Sequence, residues 1–574
     1  MQSLQTSNLI SALHCENIRS PLRSIALAFL LTLLLGTASS SFAGSATWKK
    51  SPATNDWQTA ANWTPRTVPN GPLDTATFAS SNQTGVDLAQ FGDIEVNGIV
   101  FKPGASGFTI STELPNLIIS GVGITNNSGI AQNFAPSGPA QITFLNSATA
   151  GSLTAYTSFG TITFGGTSTA GNASFTNIGG FINFVNTSTA GNATITNNAE
   201  LDFEGSSTAD HATVTNSGIV TFREGTPAAT AGNATFTNNG GFIVFNTGIF
   251  TSTNSTAGNA TFINNGAAVS GAFPGETLFN PGDADNATLI ANGGLDGGDG
   301  GLIVFSSAGG VSTGGTARVE VFGNGNLDIS QQSAPGLTTG SIEGDGLVFL
   351  GANQLTVGAN DLSTTFSGLI QDGEIGGGTG GSLTKTGKGE LSLTKANTYT
   401  GGTTLEAGTL LVKNENDSAT GSGAVQVNAG TLGGMGKIAG AVTVGTGIGI
   451  GAFLSPGNSA TEPGTLTIDN NTLTFNSAST YKCALDRTTV TASQVTAKGV
   501  RINSVAQFVF GDFFTTDTLP TGTVFTVINN TAASAIVGTF SNLPNGSTFA
   551  SNGNNFQVNY RGNTGNDLTL TVVP

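Results

Sequence analysis

The chain has 574 residues, and only 9% of them are Asp, Glu, Lys or Arg, against about 25% in an ordinary globular protein. Gly reaches 83 residues, Phe outnumbers Tyr and Trp by 36 to 4 and 3, and the formal net charge is −16. An acidic surface excludes nucleic acid and anionic membranes as partners, since both need clustered Lys and Arg. A polar surface made of Asn, Thr, Ser and Gly points to an all-β extracellular protein and away from a cytosolic enzyme.

Residues 1–43 read as a cleaved secretory signal. Arg19 and Arg23 precede the apolar run from Ile25 to Leu35, and Ser41, Phe42 and Ala43 supply a small-residue cleavage site before Gly44. The run is shorter than the roughly 20 apolar residues a membrane helix needs. Cleavage removes Arg19, Arg23 and Glu16, taking the formal charge from −16 to −17, and it removes Cys15, leaving Cys483 alone. A secreted chain with one thiol has no internal disulfide, so packing and backbone hydrogen bonds must hold it.

Residues 44–115 form the expected N-terminal cap. Trp48, Trp57 and Trp63 all lie in its first twenty residues. They either close the open end of a stack or present indole faces for sugar rings.

Residues 116–381 repeat. The segments beginning TAGNASFTN at Thr169, TAGNATITN at Thr189, TADHATVTN at Thr208, TAGNATFTN at Thr230 and TAGNATFIN at Thr256 carry Gly171, Gly191, Asp210, Gly232 and Gly258 at spacings of 20, 19, 22 and 26. Gly151 extends the series backwards, and the DADNAT segment from Asp283 extends it forwards. Such a period marks a solenoid. Within a unit, Ala234, Phe236 and Asn238 share one face. After the Gly pair, either Phe242 and Val244 or Ile243 and Phe245 do so, with tight turns between the strands. Equivalent residues should then stack into columns, Phe and Ile filling the core and Asn bonding along the turns. The expected fold is an all-β, right-handed parallel β-helix, with a β-rich C-terminal region and almost no helix.

Residues 382–413 use Leu where the earlier units use Phe. Leu391 and Leu393 share one strand face, Leu410 and Val412 another, and Asn397 to Thr404 form the turn between; Lys385, Lys388, Glu390 and Lys395 are expected to face solvent, and the whole to make one coil. The stretch from Leu383 to Val412 resembles the autotransporter-associated β-strand repeat, also called the passenger-associated transport repeat, with a pattern near LxKxGxGxLxLxxxNTYTGGTTxxxGTLxV. Leu383, Lys385, Gly387, Gly389, Leu391 and Leu393 match its first half. Asn397 to Tyr399, Gly401 to Thr404, Gly408 to Leu410 and Val412 match its second. The segment from Leu519 and the NDLTLTVVP end resemble the C-terminal region of large secreted bacterial repeat proteins. The resemblance implies a β-helical passenger carried across an outer membrane by export machinery. Self-transport would also call for a barrel of amphipathic strands about ten residues long, and residues 414–574 carry too few such segments for a large one.

Chemistry is sparse. The sole His after residue 43, His211, occupies the slot held by Asn172, Asn192, Asn233 and Asn259 in the sibling units, and Cys483 has no second Cys or His to activate it. Four acidic pairs remain: Asp283/Asp285, Asp296/Asp299, Glu343/Asp345 and Asp372/Glu374. Pairs spaced this way on a strand could serve a polysaccharide hydrolase or lyase, whose carboxyls sit about 5–9.5 Å apart, but each lies beside Gly, where acids favour turns. The stretch from Gly562 to Leu570 partly resembles a calcium-binding nonapeptide in a single copy, too few to build a shared site. The reading is therefore a secreted or cell-surface passenger with a structural or adhesive role, with no catalytic, cofactor or metal site. Its partners would be surface or matrix glycans and proteins. The alternatives are a polysaccharide-acting enzyme, a glycan-binding module at the Trp cluster, and a periplasmic location.

Overall fold

The computed structural model describes residues 44–88, 92–223, 225–246, 253–308, 310–448, 451–459, 461–512 and 518–574. The expected signal segment lies outside them. The described residues form an all-β solenoid of about 19 coils. Among them the helical content is the single 3-10 turn Ala60–Asn62, and no helix is long and apolar enough to cross a membrane.

Each repeat unit makes one coil with three sides. In the coil starting near residue 181, Phe181–Phe184 lies in a sixteen-stranded sheet, Thr189 makes a single bridge at the corner, and Thr194–Asn197 lies in a second parallel sheet. The next coil repeats this with Glu200–Phe203, Thr208 and Thr213–Asn216, residue on residue. The marker residues work as the turn requires. Gly171, Gly191, Gly232 and Gly258 have φ of 64, 60, 65 and 60°, and Asp210 and Asp285 occupy the same place at 54 and 49°. This left-handed region suits Gly and is tolerated by Asp.

Stacking produces columns of identical side chains. Along the first sheet, from Phe144 to Phe305, consecutive phenylalanine rings lie 4.6–4.9 Å apart and within 8° of parallel. The spacing is that of neighbouring strands, so the backbone ladder dictates the ring geometry. In the unit from Asn233, the structure turns Ile243 and Phe245 inward and Phe242 outward.

The stack changes its plan near residue 336. Gly336–Gly344 is long enough to pair with two successors: its first half meets Gln354–Val357, while Gly344 meets Phe366 of Thr364–Phe366. The sheet forks there, and the corner that carried a single Thr bridge per coil widens into a full strand. The first sheet ends at Leu369–Gln371. Parallel pairing then continues through Ser382–Lys385, Thr403–Leu405, Val425–Val427 and Val442–Val444.

Both ends are closed by side chains. At the N-terminal end Trp48, Trp57 and Trp63 are fully buried, packed edge to face at 5.0 Å, with each indole N–H donating to a backbone carbonyl. Buried indoles have no face to offer a sugar, so the geometry goes against the platform reading and fits capping. At the other end the antiparallel strands Asn554–Gly562 and Asp567–Val573 fold onto the last parallel layers. Buried Arg487 ties them in, donating to Asp512 at 2.7 Å through Nε and to Asn554 at 2.9 Å through Nη1.

Candidate functional site

The four acidic pairs separate once the coils are assembled. Asp283 replaces the corner Thr: its Oδ1 accepts the backbone N–H of Asp285 at 2.9 Å, as Thr256 Oγ1 accepts that of Gly258 at 3.0 Å. Asp285 replaces the left-handed Gly. Glu343 pairs with Arg318, and Asp345 accepts the N–H of Gly323 at 2.9 Å. Asp372 holds a turn through the N–H groups of Gly380 and Gly381 and the hydroxyl of Thr400. Asp296 and Glu374 sit at positive φ. Asp283, Asp285, Asp296, Asp345, Asp372 and Glu374 thus sit in turns, as their Gly neighbours imply, while Glu343 lies within the strand Gly336–Gly344.

Two members of different pairs nevertheless reach one place. Asp299 and Glu374 line a groove of about 630 Å³ on the outer surface of the first sheet, together with Glu276, Phe242, Phe273 and Leu302. Its floor is the outward column Phe242, Glu276, Leu302, Asn326 and Leu347, each residue directly above the next.

Inserted turns make the walls. The wide steps from Gly258 to Asp285 and from Asp285 to Gly315 accommodate residues 266–275 and 293–301, which pack on each other through Ala267 N–H to Asp299 O at 2.7 Å and Leu295 N–H to Ala267 O at 2.9 Å. Gly300 is required there, since a Cβ would lie 2.0 Å from the carbonyl oxygen of Asn324. The opposite wall is residues 372–380, laid over the sheet by Ile375 N–H to Asp328 Oδ2 at 3.2 Å and Gly376 N–H to Ser330 Oγ at 2.7 Å.

The groove's electrostatics are one-sided. Glu276 is half-buried, and burial raises its carboxyl above the usual range. Among the described residues lining the groove there is no Lys, Arg or His. Phe273, 77% exposed, and Phe242, 42% exposed, add aromatic surface. Sequence reasoning missed Glu276, Phe242 and Phe273. A signal was present: Phe242 to Phe245 and Leu302 to Phe305 are each four consecutive apolar residues, where siblings such as Glu200 to Phe203 alternate, as happens where both faces are covered.

The two remaining chemical candidates sit where packing puts them. His211 is exposed, with Nδ1 2.6 Å from Asp210 Oδ1, and it interrupts the surface column in which Asn192 donates to Asn172 and Asn259 to Asn233. Cys483 is buried, and burial pushes its thiol well above the ordinary range, away from the thiolate a nucleophile needs. No group of three or more His, Cys, Asp and Glu among the described residues is arranged to hold a metal.

The Leu-rich stretch makes two coils where one was expected. Leu391 stacks on Leu410 and Leu393 on Val412, while Leu383 stacks on Thr403. Asn397 latches three layers: its Oδ1 accepts the N–H of Ile370 at 2.7 Å, and its Nδ2 donates to Ala419 O at 2.6 Å. Tyr399 is buried beside it with its hydroxyl 2.6 Å from Thr403 Oγ1. Lys385, expected to face solvent, is 1% exposed. It follows Leu383 by two residues, so strand parity points it inward, in column with Val357 and Leu405. Its ammonium is held by the carbonyls of Thr386 and Gly387.

Comparison with known proteins agrees with this geometry. A family model described as the passenger-associated-transport-repeat matches residues 383–412, the pair of coils just described. The chain is also similar to the Adhesin BmaC autotransporter of Brucella suis biovar 1, at 38% identity over 115 residues. That match covers 20% of this chain and 3% of the relative, so the chain aligns with only a small part of the curated protein's length. The chain thus carries an autotransporter-associated repeat in its Leu-rich coils, and over a fifth of its length it is similar to part of an autotransporter adhesin.

Proposed function

We infer that this chain is a passenger-like rod exposed on a bacterial cell surface, where it has a structural and adhesive role without catalysis. The observation that carries the reading is the unbroken stack, whose repeat coils at 383–412 match the transport-associated family and whose side chains are spent on columns and turns. The similarity to part of an autotransporter adhesin supports the adhesive side. The four acidic pairs, engaged in turns or apart from each other, give a glycan-cleaving reading little support. In this account residues 1–43 hand the chain to the secretion machinery, and the coils fold outside.

Protease shaving of intact cells tests display. Peptides from residues 44–574 released without cell lysis agree with a surface rod. Release only after the outer membrane is opened places the chain in the periplasm and removes the adhesive role.

A further inference from the structure

The groove on the first sheet combines features that point to one kind of occupant. Glu276 stands in the floor between Phe242 and Leu302, and Asp299 and Glu374 approach from the two walls. None of the three carboxylates has a hydrogen-bond or ion-pair partner among the described residues. A carboxylate beside apolar walls loses hydration, and a cation delivered to it offsets that loss. Phe273, held out on the inserted turn, is a large apolar side chain left uncovered by the fold. The volume is within the range of about 300–1,000 Å³ found for sites that enclose several side groups.

We propose that this groove docks an extended segment of a partner protein in which Lys or Arg alternates with apolar residues, the cation meeting Glu276 and the apolar side chains packing on Phe242, Phe273 and Leu302. Charge complementarity selects this occupant. A second copy of this chain, with 34 acidic and 18 basic residues, brings like charge to an acidic groove. A neutral glycan needs several donors as well as acceptors, yet Asn324 is already engaged with Gly298 O at 3.0 Å and Gly294 N–H at 2.7 Å, which leaves Asn326 as the one amide side chain among the described lining residues, beside three carboxylates. The inference deepens the adhesive reading and rests on it for its biological setting. Its test uses purified protein, so its failure is separate from a failure of surface display.

The probe is a fluorescein-labelled peptide alternating Lys with Leu and Phe, titrated with the purified chain and read by fluorescence anisotropy. A counterpart with Glu in place of Lys is the charge control. The account expects micromolar binding of the Lys peptide, weakened about tenfold by added salt. Phe273→Ser and Glu276→Gln should each weaken it about tenfold, while Glu113→Gln, remote from the groove, leaves it unchanged. Phe273 is exposed, so its substitution should leave the thermal midpoint in place and keep the test separate from folding. Equal binding of the Glu peptide, unchanged binding in both groove variants, or no binding at about 1 mM peptide overturns the proposal. So does a neutral oligosaccharide that binds in place of the Lys peptide and is lost in the same variants.

Discussion

Asn197 donates from Nδ2 to Oδ1 of Asn216, one coil away, at 2.8 Å, and the two amides are fully buried. The bond is one step in a ladder that runs from Asn177 to Asn264 with steps of 2.8–3.1 Å. Each amide also serves its own corner: Asn216 reaches Gly218 O at 3.1 Å and accepts the N–H of Gly218 at 3.2 Å. A buried ladder of this kind is favourable because every member is satisfied, and it is vulnerable for the same reason. Asn216→Ala should cost about 2–4 kcal/mol, since it orphans groups on both neighbouring coils. Urea unfolding of the purified variant reads the loss.

The phenylalanine column predicts a second, chemically different sensitivity. Phe203 is stacked between Phe184 at 4.9 Å and Phe222 at 4.8 Å. Phe203→Ala should cost about 3–5 kcal/mol by opening a cavity the fixed coils cannot close. Phe203→Leu should recover most of that in the same assay, because it keeps the apolar volume.

Next to these columns runs one that contributes nothing through its polar atoms. The hydroxyls of Ser168, Ser188, Ser207 and Ser255 are buried and lack hydrogen-bond partners. Coils about 4.8 Å apart hold successive hydroxyls beyond bonding distance. Ala148 and Ala229 take the place of these serines in neighbouring coils. Ser188→Ala should therefore be neutral or stabilising by up to about 1 kcal/mol. A loss of stability would reveal a partner for the hydroxyl.

Lys385 supplies a pH dependence with a definite sign. Desolvation lowers its pKa, and the charge of Asp361 only partly opposes the shift. Between the lowered folded value and an unfolded value of about 10.4, the unfolded chain binds more protons. This residue therefore adds stability as pH rises through the folded pKa towards the unfolded one, and the penalty is greatest below that window. The buried tyrosines, raised in the fold, give the opposite slope above about 10. Subtracting the alkaline stability profile of Lys385→Met from that of the parent isolates the lysine. A flat difference would show that Lys385 is hydrated.

Much of the coil architecture was legible because period and parity are one-dimensional signals. The 19–26-residue spacing and the shared face of Phe236 and Asn238 follow from pattern alone, whereas Leu391 and Leu410, read as two sides of one coil, stack on each other in successive coils. Lys385 shows where residue character misleads: its charge suggested solvent, whereas its place two residues after Leu383 put it inside. The groove was hidden for another reason. Its acids come from residues 276, 299 and 374, and they converge only after two insertions and the loop beyond the last strand of the first sheet fold over one column. Such convergence depends on how loops lie on the stack, which no local period encodes.

The account rests on a fixed coil-to-coil register, and a cysteine crosslink measures it most directly. Thr194 lies directly above Thr213 in the second sheet, and both are exposed. Neighbouring parallel strands place their Cα atoms about 4.8 Å apart, inside the range of about 4.4–6.8 Å that a disulfide spans. The pair Thr194→Cys with Thr213→Cys should close under mild oxidation, read as a loss of two hydrogens in the intact mass, while buried Cys483 stays unreacted. Thr194→Cys with Thr215→Cys, offset by two residues and roughly 8 Å apart, should remain open. Efficient closure of the offset pair with failure of the aligned one would contradict the register, and with it the columns on which the rest depends.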